Sequence, residues 1–208
     1  MLAIIRFRTR ECTSVIMRAS LKLIVFVLAT ILISPLLVGM WLERACCKTE
    51  SFFQGVSQLL SLVPFKVGIY IRAAFYTHAC NEVDREINIG FLTVFSHSDT
   101  DIGKHVYIGS QSNIGSCSLG RDCLLGSGVH ILSGKRQHSF SDQKNPIRLQ
   151  GGVFEKIQIG ENCWIGNQAT IMASIGPHSV VAAGAVVIDE VPPHVIVGGN
   201  PARVLRSR

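Results

Sequence analysis

Hydrophobic and polar positions change their spacing twice along the chain. From Leu23 to Leu42 twenty residues, LIVFVLATILISPLLVGMWL, pass without a charge. As a helix such a run reaches roughly 30 Å, the thickness of a bilayer core, so it predicts a membrane helix. A signal peptide has a shorter apolar region and ends at a small-residue cleavage site, which is missing here. Apolar residues dominate again from Phe52 to Tyr76, but Lys66 and Arg72 lie among them and Pro64 interrupts them. That pattern predicts a helical segment in the membrane interface, its cations among the head groups. A helix capping the soluble part is the alternative.

From about Ile87 onward short apolar residues are separated by Gly, Ser and Asn. Aliphatics recur six apart at Ile102, Ile108 and Ile114, then after one step of five at Leu119, Leu125 and Ile131. A second block repeats this at Ile159, Ile165 and Ile171, and after a shortened step at Ile175, Val181 and Val187. Eight of these twelve are followed directly by Gly, where chance would give about one. Four residues after most of them stands a small or β-branched residue, among them Cys123, Val129, Cys163, Ala169 and Ala185. Six residues make three β pleats, so the aliphatics face one way if each hexad is a short strand and a corner, with glycine giving the corner its positive φ. A helix fails, because six residues put successive aliphatics on opposite sides. The chain therefore divides into a basic segment 1–22, a membrane helix 23–42, a helical region 43–86 and a mainly β repeat domain 87–208 carrying a loop at 132–156.

Charge adds a direction. Of the formal net charge of +6, much lies ahead of the apolar run at Arg6, Arg8, Arg10, Arg18 and Lys22, against Glu11 alone. The positive-inside rule then places the N-terminus in the cytoplasm, with anionic lipid as partner. Nucleic acid is not implied, since no Arg/Lys run interleaved with aromatics appears in the repeat domain. Seven cysteines, without CxxC pairs, fit reduced thiols in the cytoplasm. Cys123 and Cys163 read as small packing residues, and Cys46 and Cys47 as sites open to lipidation in a eukaryote. An ordinary span would put the repeat domain on the far side. Ser34-Pro35 at mid-run offers an escape, a sharp bend that returns the segment to the same leaflet; a mildly kinked span is the alternative.

The repeats IGENCWIGNQATI (159–171) and VVAAGAVV (180–187) and the ending GGNPARVLR (198–206) resemble the hexapeptide-repeat acyltransferases over about 87–206. The resemblance implies a left-handed parallel β-helix, a homotrimer with active sites between subunits, and acetyl-CoA as co-substrate. SQLLSLVPFKVGIYIRAAFY (57–76), INIGF (87–91) and SGKRQHSF (133–140) look like the subgroup that acetylates bacterial surface and exported polysaccharides, so a sugar or glycan hydroxyl is the implied acceptor.

Candidate chemistry sits where the hexads stop, between Ile131 and Ile159. An insertion in a solenoid projects as a loop, and His138 lies in it. By itself it is either a solvated histidine or a general base for a hydroxyl attacking a thioester. The resemblance selects the base, because relatives carry their catalytic histidine after a motif like GVHILSG (128–134), although GKRQH is longer than the corresponding turn. Asp142 is a candidate to orient it. His97, Ser133 and Gly134 are candidates to line the acceptor site; His105, His130, His178 and His194 read as structural. The same resemblance puts Trp164, Gly166, Asn167, Ala183 and Gly184 beside the pantetheine arm, and Arg203 and Arg206 at the CoA phosphates. Asp189 departs from the pattern and is expected to repel phosphate. No metal is required, and the three-histidine zinc set of a γ-type carbonic anhydrase is not found. A soluble serine acetyltransferase would lack the anchor. The remaining alternative is a non-catalytic scaffold at the membrane.

Overall fold

A computed structural model describes residues 2–47 and 49–208, with side chains from Ser20 onward. Arg6, Arg8, Arg10 and Arg18 of the basic segment thus lie outside the described side chains. Three helices precede a β-helix: α1 (Leu2–Cys46), α2 (Ser51–Ser61) and α3 (Phe65–Ala79).

The apolar run lies in a helix, and a longer one than expected. α1 continues through Pro35 as one element. The local chemistry shows why the helix tolerates the proline. Pro35 has no N–H for the carbonyl of Ile31, and the Ser34 hydroxyl donates to that carbonyl at 2.8 Å instead. At its far end Arg44 donates to the Ala79 carbonyl at 2.8 Å. Glu43 accepts the Phe52 N–H at 3.0 Å and the Thr49 hydroxyl at 2.8 Å, which supplies the N-terminal cap that α2 lacks from its own residues.

The second apolar stretch is not interfacial along its length. α3 buries Ala73, Ala74, Phe75, Tyr76 and Ala79 against the first turn of the β-helix, so it acts as a cap. Lys66 is exposed as expected, whereas Arg72 is 1% exposed. Its Nε donates to Ile89 O at 2.9 Å and its Nη1 to Leu60 O and Val63 O at 3.0 and 2.7 Å. Leu60 is in the last turn of α2 and Val63 just beyond it, the end of a helix where a cation is favoured. Burial holds the Arg72 pKa below its ordinary value. Around it Phe53, Phe75, Tyr76 and Phe95 pack as one aromatic cluster, with the Tyr76 hydroxyl 2.7 Å from Ser57 Oγ.

The β-helix is left-handed, makes about six turns and has three parallel faces. It begins at Glu82, one short strand earlier than the repeats suggest. The first face stacks Glu82–Val83, Asp101–Ile102, Cys117–Leu119 and Ile157–Ile159. The second stacks Asn88–Ile89, Tyr107–Ile108, Leu124–Leu125, Trp164–Ile165, Val180–Val181 and Val195–Gly199. The third stacks Val94–Phe95, Asn113–Ile114, His130–Ile131, Thr170–Ile171 and Val186–Val187. In register, Ile89, Ile108, Leu125, Ile165, Val181 and Val197 form one inward column, each at most 2% exposed. Each such side chain contributes roughly 1.5–3 kcal/mol by burial. Antiparallel Ala202–Ser207 closes the second face.

The corners differ from expectation in one respect. The glycine after each aliphatic is needed for close approach, not for positive φ: a Cβ on Gly166 would lie 2.4 Å from Ala183 N in the next turn. Positive φ falls two residues later, at His105, Gln111, Asp122, Asn162, Gln168, His178 and His194. There His105 meets Asp122 at 3.1 Å and His178 stacks on His194 at 4.9 Å, which agrees with structural roles for these three histidines. Cys123 and Cys163 are buried, their thiols donating to Gly160 O and Gly176 O. Every cysteine with a described side chain is a free thiol.

Candidate active site

On a strand the residue before an inward aliphatic points outward. The outward row of the second face is apolar: Tyr107, Leu124 and Trp164 are exposed and stand in register. The third face instead presents Asn113 and His130, also in register. Beside them opens a cleft of about 160 Å³, lined by Ser96, His97, Asn113, His130, Ser133 and Gln137. His97 Nδ1 lies 2.8 Å from Ser96 Oγ, and its ring 5.8 Å from that of Phe154. The Ser133 hydroxyl accepts the Ser116 N–H at 2.9 Å, so it also fixes the turn that shapes the cleft. Gly134 has φ +82°, and a Cβ there would come within 2.7 Å of Glu155. His130, expected to be structural, is exposed on the cleft wall. Its position directly before Ile131, seventeen residues after Asn113, was the signal available in the sequence.

The insertion at 132–156 leaves from the end of the third face as an ordered arm. Val153 N–H donates to Arg136 O at 2.7 Å, Ser139 N–H to Gly151 O at 2.8 Å and Glu155 N–H to Ser133 O at 3.0 Å. Arg136 pairs with Glu155, and Lys156 pairs with Asp101 at 2.7 Å to anchor the root. These contacts carry the chain past Gln137 on the cleft and set His138 immediately beyond it, exposed, with no hydrogen-bond partner among the described residues. Asp142 does not orient it. That carboxylate accepts the Lys144 N–H and the Asn145 amide, both at 2.8 Å, closing its own turn, which holds its pKa below the usual value. The arm exposes Phe140, Ile147, Leu149, Val153 and Phe154 to solvent.

The repeat blocks 100–133 and 156–188 match the family model described as the hexapeptide repeat of succinyl-transferase, and the arm lies between them. The chain is 30% identical to galactoside O-acetyltransferase of Escherichia coli over 117 residues, 53% of this chain and 55% of that protein. A maltose O-acetyltransferase from Clostridium difficile superposes with TM-score 0.65 at 20% identity, over 81% of this chain and 87% of that one. A hexapeptide-repeat acetyltransferase of Vibrio cholerae solved with acetyl-CoA superposes with TM-score 0.61 at 23% identity, over 79% and 91%. The chain thus carries hexapeptide repeats and the fold of these acetyltransferases. The matches to curated relatives span from 32% to 68% of those proteins' own lengths.

The residues that the resemblance puts near a cofactor form one neighbourhood. Trp164 is on the second face and Gly166 and Asn167 turn the corner after it, where Asn167 Oδ1 accepts the Ser127 N–H at 3.1 Å. Ala183 and Gly184 form the exposed corner one turn on; Gly184 has φ +68° with open space around it, so backbone conformation is what its glycine answers. Arg203 and Arg206 are exposed on the closing strand. The expectation that Asp189 repels phosphate is not met by an isolated charge. Lys135, from the arm, reaches its carboxylate at 3.5 Å and Arg203 at 3.7 Å, so the charge is paired on both sides. Among the described residues, no three His, Cys, Asp or Glu side chains come together as a metal site.

Proposed function

We propose that this protein is an acetyl-CoA-dependent O-acetyltransferase acting on a sugar hydroxyl of a surface, capsular or exported polysaccharide, or of its membrane-bound precursor. The observation that supports the reading is the arm that brings Gln137, the residue before His138, to a cleft lined by His97, Asn113, His130 and Ser133, whose polarity suits part of a sugar. His138 takes the hydroxyl proton as the oxygen attacks the thioester carbonyl. The tetrahedral oxyanion is stabilised by backbone N–H groups, and its collapse expels the CoA thiolate, which recovers the proton from the imidazolium. Trp164, Gly166, Asn167, Ala183 and Gly184 line the pantetheine arm, and Arg203 and Arg206 meet the phosphates. The apolar outward row Tyr107, Leu124, Trp164 and the exposed apolar residues of the arm support a homotrimer whose sites are shared between neighbours. The apolar α1 supports membrane association, with the β-helix on the cytoplasmic side.

The test is CoA release from acetyl-CoA by the purified full chain, with glycan acceptors present and absent. Acceptor-dependent release is expected; binding of acetyl-CoA without transfer to any hydroxyl would leave a scaffold. Arg203→Ala and Arg206→Ala are each expected to weaken acetyl-CoA binding about tenfold, the loss of a charge-assisted phosphate contact, with little change for the acceptor. Calorimetric titration of both ligands checks it, and equal losses for the two would point to damaged subunit packing.

A further inference from the structure

We propose that α1 lies in the plane of the membrane, on one leaflet, as the docking surface of the protein, and that lipid covers its outer face. The proposal rests on reading the apolar run as a membrane helix, and concerns how that helix sits. One stripe of the apolar run of α1 is already occupied along its length. Ala29, Ile33 and Met40 are buried, with Phe26, Leu36 and Leu37 beside them, at the spacing of a single helical face. Along this stripe Thr30 meets His78, Gly39 meets the Phe52 ring, and Arg44 holds the Ala79 carbonyl. α1 is thus part of the body over its whole apolar length.

The opposite stripe, Ile24, Ile31, Val38 and Leu42, is 50% to 63% exposed, and Trp41 beside it is 68% exposed. A protein partner would require one further apolar stripe; a helix apolar over its whole remaining arc suits lipid. Charge agrees, because Lys22 and the arginines before it precede the run and exposed Lys66 stands at the start of α3, where anionic head groups would receive them.

The packing discriminates between the two orientations. If α1 crossed the bilayer, the body fixed along it would be carried to bilayer depth. Arg85, Glu86 and His105 of the β-helix share a cleft with Leu23 and Phe26, while Glu50 and Gln54 of the α2 end bond to Ser98 and Ser96 of the first turn. Charged and polar groups are costly in hydrocarbon. With α1 in the plane, its outer stripe alone enters the acyl region and those groups stay in water. Both ends of the chain then lie on one side, which reconciles a cytoplasmic basic N-terminus with a site that needs acetyl-CoA, without any bend at Pro35.

Depth-dependent fluorescence quenching tests this. Single-tryptophan reporters Ile24→Trp, Ile31→Trp and Leu42→Trp, each in a Trp41→Phe, Trp164→Phe background, are placed in phosphatidylcholine vesicles containing phosphatidylglycerol and lipids brominated at shallow or deep acyl positions. All three lie on the exposed stripe, so folding is undisturbed, and circular dichroism verifies it. The in-plane helix gives three coincident shallow profiles. A deep profile at position 31 with shallow ones at 24 and 42 marks a span and overturns the proposal while leaving membrane residence intact. Quenching at none of the three overturns membrane residence as well.

Discussion

Replacing His138 with alanine lowers acetyl transfer by at least about a hundredfold, the scale expected for the loss of a general base. The effect is on chemistry, because the imidazole makes no hydrogen bond among the described residues and the arm is held by Val153, Ser139 and Glu155 backbone bonds and by Lys156 at its root. The variant therefore keeps its fold and its acetyl-CoA affinity. Its kcat falls while its melting temperature stays close to the parent's. CoA release with acceptor present, measured beside calorimetric acetyl-CoA binding, separates the two. A folded variant with near-parental turnover would remove His138 from the mechanism.

Replacing Arg72 with methionine costs about 3 kcal/mol or more of stability, by the scale of charge-assisted hydrogen bonds and of stranded acceptors. Methionine keeps most of the apolar stem but takes the guanidinium from the carbonyls of Val63 and Ile89 in a buried site, and leaves Leu60 O with backbone N–H donors alone. Arg72→Lys recovers only part, since one ammonium on a shorter, differently shaped head does not reproduce a guanidinium fork. Denaturant melts of the full chain in detergent check the order parent, lysine, methionine. Equal stability of parent and methionine variants would mean that the cap docks by its aromatic cluster alone.

Much of the architecture was legible in the chain because a solenoid is locally encoded. Each hexad meets its neighbours at a fixed offset, so the spacing of Ile102, Ile108 and Ile114 already states which residues face inward and how many to a side. The interruption of that spacing likewise announced the arm and put His138 in it. Trp164, Gly166 and Asn167 could be placed near Ala183 and Gly184 for the same reason, as consecutive turns stack in register.

What the sequence by itself determined, then, is the inward column, the arm and an apolar helix. Only the tertiary structure decided the rest, because it depends on contacts with no periodic signature. Arg72 looks like a head-group cation until the end of α2 and the Ile89 carbonyl are brought around it. Asp189 looks like an obstacle to phosphate until Lys135 arrives from an arm more than fifty residues earlier. Asp142 looks like a partner for His138 until its own turn uses both carboxylate oxygens. His130 is one of several outward residues until the arm closes a cleft beside it. Pro35 leaves a carbonyl without its helical partner until a serine hydroxyl one residue earlier satisfies it. In each case a charge, a carbonyl or a ring needed a partner, and the partner lay where only the folded chain could bring it.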